Sequence, residues 1–189
     1  MLASIHPLGE RARRSRWWLT TTAYVAGSAA GGAVLGAVAG AAGSLLRLSL
    51  SPWGVATVCV MVVVLDLVGV PSWHRQVNED WLRRYRGWVY GAGFGFQLGL
   101  GVATIVTTAA VYGVAVLAAM SGSLTTGTLI GALFGMSRAV PLLSAAGVRH
   151  PDQLRRLHAR LARAAAPAAR LASSTLAVAA VAAVVMASR

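Results

Sequence analysis

The chain has 189 residues, 57% hydrophobic and 12% charged, with a formal net charge of +12 at pH 7. With a mean hydropathy of +0.66, this excludes an ordinary soluble domain and indicates a polytopic membrane protein. All 17 basic residues are arginines set mostly between apolar runs, so anionic lipid headgroups account for the charge better than nucleic acid does, and no nucleic-acid-binding module accompanies it.

Residues 1–19 form a short basic head in which Arg11, Arg13, Arg14 and Arg16 precede Trp17 and Trp18. Arginines followed by tryptophans mark the inner interface of a membrane-spanning helix, which makes this a cytoplasmic head. The first apolar run, 20–46, is rich in glycine and alanine, and Gly32, Gly36 and Gly40 recur every fourth residue. That spacing makes one helix ridge without side chains, the small-xxx-small pattern by which membrane helices approach backbone to backbone. The second run, 53–71, is β-branched, carries Asp66 and the single cysteine, Cys59, and ends at Pro71.

Residues 72–87 are polar but patterned. Trp73, Val77, Trp81 and Tyr85 recur every four residues among arginines. This fits either a helix lying in the membrane interface or a loop helix packed on the bundle. The third run, 88–119, contains no charge and carries the ridge Gly91, Gly95, Gly99. Tyr90, Gln97, Gly101, Thr104 and Thr108 fall on roughly the opposite side, a mildly polar stripe. As one straight helix this run would be about 48 Å long against about 30 Å of hydrocarbon, so it either tilts and protrudes or breaks within 91–101. The fourth run, 124–146, repeats the ridge as Gly127, Gly131, Gly135 and contains Arg138 and Pro141. Residues 147–167 form a second amphipathic segment, with Leu154, Leu157 and Leu161 as its stripe, ended by Pro167. The fifth run is 168–187.

The expectation is an all-α, polytopic transmembrane helix bundle of about five spans. It is packed on glycine ridges and flanked by two amphipathic interfacial segments, with residues 20–189 as one bundle. The arginines concentrate in the head, in 72–87 and in 147–170, which by the positive-inside rule puts those segments and the N-terminus on the cytoplasmic side of an inner membrane. A weak repeat of about 70 residues pairs Trp18 with Trp88 and Val70-Pro71 with Val140-Pro141, the pattern of a duplicated two-span unit.

Asp66 and Arg138 are the ionisable residues well inside the runs, and a charge in hydrocarbon needs a reason. A salt bridge between the second and fourth spans is the natural resolution. It serves either a solute or proton site, together with Gln97, Thr104 and Thr108, or simply helix register. The four histidines match no metal-ligand spacing, and no nucleophile, base and orienting acid can be assembled from five acids placed like these. The reading is therefore a non-enzyme without catalytic residues, metal or cofactor. Its partners are membrane lipids, with a second copy or another membrane subunit as a further candidate.

The stretches GFGFQLGLGVATIVTTAAVY, SGSLTTG and GMSRAVPLL resemble the DsbD/CcdA- and LysE-type small membrane transporters, which place long, often broken, glycine-rich helices at the start of each half. The resemblance implies an exporter-like scaffold. CcdA-type proteins carry Pro-Cys motifs in those helices. Here residues 103–108 read ATIVTT, so thiol electron transfer is not implied. The function expected is transporter- or permease-like for a small solute or ion. The alternative is a non-catalytic subunit or assembly factor of a membrane complex.

Overall fold

The computed structural model describes residues 5–69, 84–101 and 109–188. Regular structure within them is helical: α1 (Pro7–Ala12), α2 (Trp17–Leu45), α3 (Pro52–Val68), α4 (Gly87–Leu100), α5 (Ala110–Met120), α6 (Leu124–Leu143) and α7 (Pro151–Ala187). The protein is an all-α polytopic bundle. α2, α6 and α7 are each long and apolar enough to cross a membrane, and α3 and α5 are shorter apolar helices. Leu171, Val178, Val181 and Met186 of α7 are exposed, the side chains a helix turns toward lipid.

α2 is the centre, packed along α6 on one side and α4 on the other. Between lipid-facing helices there is no hydrophobic driving force, so close backbone contact must hold them. A Cβ on Gly32 or Gly36 would stand 2.1 or 2.0 Å from the carbonyl oxygen of Gly131 or Gly127 on α6, closer than any side chain permits. The ridge on α4 meets hydroxyl-bearing residues of α2: Gly91, Gly95 and Gly99 lie against the carbonyls of Thr20, Tyr24 and Ser28, and Gly99 also against the Gly32 nitrogen. Ser28 sits where both seams meet. Its carbonyl faces Gly99 and Gly135, and its hydroxyl donates to the Gly135 carbonyl at 2.6 Å. α3 packs on α7 and α5, outside this central layer.

Of the two arrangements open to the run 88–119, the chain takes the broken one. α4 stops at Leu100, Gly101 turns left-handed (φ 72°), and the next described helix starts at Ala110. The 70-residue repeat does not extend to conformation here. Gly31, the counterpart of Gly101, stays mid-helix in α2, where a Cβ would stand 2.1 Å from the Phe96 carbonyl of α4. A second correction concerns Pro167. It does not end a segment, since α7 runs unbroken from Pro151 to Ala187. A proline removes one backbone donor, and the Ala-, Leu- and Arg-rich turns around it favour helix strongly enough to continue. The amphipathic segment and the fifth run are therefore one helix. The interfacial pattern of 72–83 lies outside the described residues.

Candidate functional site

The break between α4 and α5 collects the charges. A helix end leaves carbonyls unpaired at its C-terminus and N–H groups unpaired at its N-terminus, and carries partial charge to match. Arg138, from α6, donates through Nη1 to the Leu98 carbonyl at 2.7 Å, in the last turn of α4. Its guanidinium also lies 5.6 Å from the centre of the Phe134 ring. Asp66, near the end of α3, accepts from the Ala109 N–H at 2.6 Å, at the start of α5. The cation thus meets a negative helix end and the anion a positive one. Among the described residues no salt bridge joins Asp66 to Arg138, and each of them meets a helix end of opposite sign. A Cβ on Gly101 would stand 2.5 Å from Val111 Cγ1 and 3.5 Å from Arg138 Nη1, so glycine suits both the conformation and the space.

Gln97 is half-buried on α4, one residue before the carbonyl that Arg138 holds. Thr104 and Thr108 lie outside the described residues. The structure thus brings Asp66, Arg138 and Gln97 to one discontinuity contributed by three elements. Among the described residues, no three of His, Cys, Asp and Glu group as metal ligands. Cys59 is free and buried on α3.

A second polar centre escaped the sequence reading. The head folds as α1, begun by His6, whose Nδ1 accepts from the Gly9 N–H at 3.2 Å, and it buries Glu10 completely. The Glu10 carboxylate accepts from Arg13 Nη2 at 2.7 Å, from Thr20 Oγ1 at 2.8 Å and from the Tyr90 hydroxyl. Tyr90, expected on a polar stripe, is instead the bolt between α4 and the head. Glu10 is three residues from Arg13 on one helix face, and that local spacing was the available signal. Tyr90, 80 residues away, offered none.

Burial raises the Glu10 carboxyl, but the hydrogen bonds from Tyr90, Arg13 and Thr20 together outweigh it and hold the group below its ordinary 4.5. A depressed carboxyl stabilises the fold above its unfolded value and loses that contribution as pH falls through the folded value. Glu10→Gln is therefore expected to cost about 2 kcal/mol at pH 7, the size of a charged hydrogen bond. The melting midpoints of the two proteins in detergent should converge as pH drops below 4.5. A gap that persists unchanged at low pH would show that the charge is not what Glu10 contributes.

Comparison with known proteins agrees with this architecture. The family model for the cytochrome c biogenesis protein transmembrane region matches residues 2–184. Among curated proteins, the chain is 32% identical over 151 residues to methylamine utilization protein MauF of Paracoccus versutus, covering 75% of this chain and 55% of that protein. It is 31% identical over 152 residues to MauF of Paracoccus denitrificans (75% and 54%) and 30% identical over 151 residues to MauF of Methylorubrum extorquens (75% and 53%). The chain spans about half the length of the curated relatives it matches. No solved structure matches it. An all-α bundle packed on a central glycine-rich helix, matched by the family model over nearly its whole length, is thus a membrane protein belonging to the cytochrome c biogenesis transmembrane-region family.

Proposed function

We propose that this chain is a non-enzymatic, transporter-like protein of the inner membrane, and that the α4–α5 break is where a small solute or ion crosses. The observation that carries this reading is the break itself, with Asp66 and Arg138 placed at its two helix ends. Transporters build their sites from discontinuous helices whose ends face the bundle interior, because helix ends supply fixed partial charge where hydrocarbon supplies none. With Cys59 as its single cysteine this chain holds no intrachain disulfide, so the thiol relay of CcdA-type proteins is not carried over to it. Arginine asymmetry supports a cytoplasmic N-terminus.

The second reading, a non-catalytic subunit or assembly factor, draws on two observations. The relatives' name ties them to methylamine utilization and not to a transported solute. α7 also packs on α3 and leaves most of its length exposed, and in its C-terminal half Leu171, Val178, Val181 and Met186 offer an apolar face that a membrane partner could share with lipid.

Water access separates the two. In a Cys59→Ser background, cysteine at Gln97 should react with membrane-impermeant thiol reagents in proteoliposomes under the transporter reading. Cysteines at 149–163 should react from the cytoplasmic side only. A Gln97 position that stays unreactive while those label would favour the assembly role, because a crossing path must wet the residue beside the break.

A further inference from the structure

Beside the Glu10 centre, the elbow between α1 and α2 and the start of α4 border a half-open cavity of about 710 Å³ lined by Arg13, Arg14, Arg16, Arg86, Leu19 and Trp88, among others. Arg13 is held by Glu10. Arg14, Arg16 and Arg86 face no acid and make no side-chain hydrogen bond among the described residues. Like charges gathered on one cavity repel unless an anion enters. A further feature raises the positive potential. α2 and α4 both begin at this cavity, at Arg16 and Arg86, without a side-chain cap, and the positive end of each helix dipole therefore lies beside it.

The cavity adjoins an apolar surface. An apolar groove of about 520 Å³ shares Leu19 and Trp88 with it and continues along α2 past Thr22, Ala23 and Ala26. Trp88, half-exposed, stands at the boundary between the charged and apolar parts, where tryptophans sit at the membrane interface. We infer that this joined cavity and groove bind one anionic phospholipid, its phosphate among Arg14, Arg16 and Arg86 and an acyl chain along Leu19, Ala23 and Ala26. A free phosphate would use the first part alone. The shared lining residues make one amphiphile the better fit, since guanidinium groups recognise phosphate oxygens in pairs and the groove offers only apolar contact. The head is then clamped between Glu10 inside and lipid outside. The inference is independent of what crosses at the α4–α5 break.

Native mass spectrometry of the delipidated full chain tests this, with dioleoylphosphatidylglycerol, dioleoylphosphatidylcholine, glycerol phosphate and inorganic phosphate as probes. The phosphatidylglycerol should bind at one equivalent, at least about tenfold tighter than the same tails on choline or the same head without tails. Arg14→Gln with Arg86→Gln should weaken it about thirtyfold, the effect of two arginines near an anionic surface. Arg14→Lys with Arg86→Lys should keep most of the affinity, which preserves the test should the glutamine pair fold poorly. Arg155→Gln with Arg156→Gln on α7, equal in charge lost, should change nothing. Equal binding of the choline lipid, or an equal loss from the α7 pair, would reduce the site to general surface charge and overturn the inference. Glycerol phosphate binding as tightly as the lipid would overturn the amphiphile and leave a free phosphate ester as the ligand.

Discussion

Gly95→Leu is expected to lower the melting midpoint in detergent by about 10 °C, a loss of at least about 3 kcal/mol. The cause is the α2–α4 seam. A Cβ on Gly95 would stand 2.0 Å from the Tyr24 carbonyl oxygen and 2.9 Å from the Ser28 nitrogen. Both neighbours are backbone and cannot rotate away, so the helices must separate. Separation would also draw Ser28 away from Gly99, which packs on the same turn, and strain its hydrogen bond to Gly135. Even Gly95→Ala should destabilise. Alanine is favoured over glycine in a helix by about 1 kcal/mol, so any loss it causes must come from the contact and not from the backbone. Gln97→Leu is the comparison, half-buried on the same helix two residues on. It should shift stability by less than about 0.5 kcal/mol. If Gln97→Leu proved the more damaging, the glycine ridge would not be the packing face of α4.

That seam was legible because its signal is local. A glycine every fourth residue needs nothing but helix periodicity to become a ridge. Which ridge meets which partner was not legible. Gly95 finds Tyr24 and Ser28, while the α2 ridge Gly32, Gly36 and Gly40 turns mainly to α6. The break was half visible. Its run was too long for one span, but where it would end depended on Arg138 and Asp66 arriving from α6 and α3 to satisfy the exposed helix ends. The Glu10 centre was hidden for the same reason. One acid in a basic head reads as a surface charge until Tyr90 and Thr20 close over it. Pro167 failed as punctuation because a single missing donor costs less than the helix on both sides returns.

The largest functional effect is expected at the break, where Asp66 and Arg138 should act separately. Asp66→Ala removes both the charge and the acceptor at the α5 end and should cost about 2–3 kcal/mol. Asp66→Asn keeps an oxygen for the Ala109 N–H and loses only the charge facing the helix end, about 1 kcal/mol. Arg138→Gln should cost a similar amount by weakening the hold on the Leu98 carbonyl. Asp66 holds the Ala109 N–H and Arg138 the Leu98 carbonyl, so the Asp66→Asn, Arg138→Gln double variant should lose the sum of the single losses within about 0.5 kcal/mol. An ion pair predicts the reverse: removing one partner strands the other, and removing both recovers stability. A measured recovery above about 1 kcal/mol would restore that pair and detach the charges from the break. Additive losses, with solute flux falling in both single variants, would tie transport to the two helix ends. Asp66 would then govern the α5 end and Arg138 the α4 end, each independently of the other.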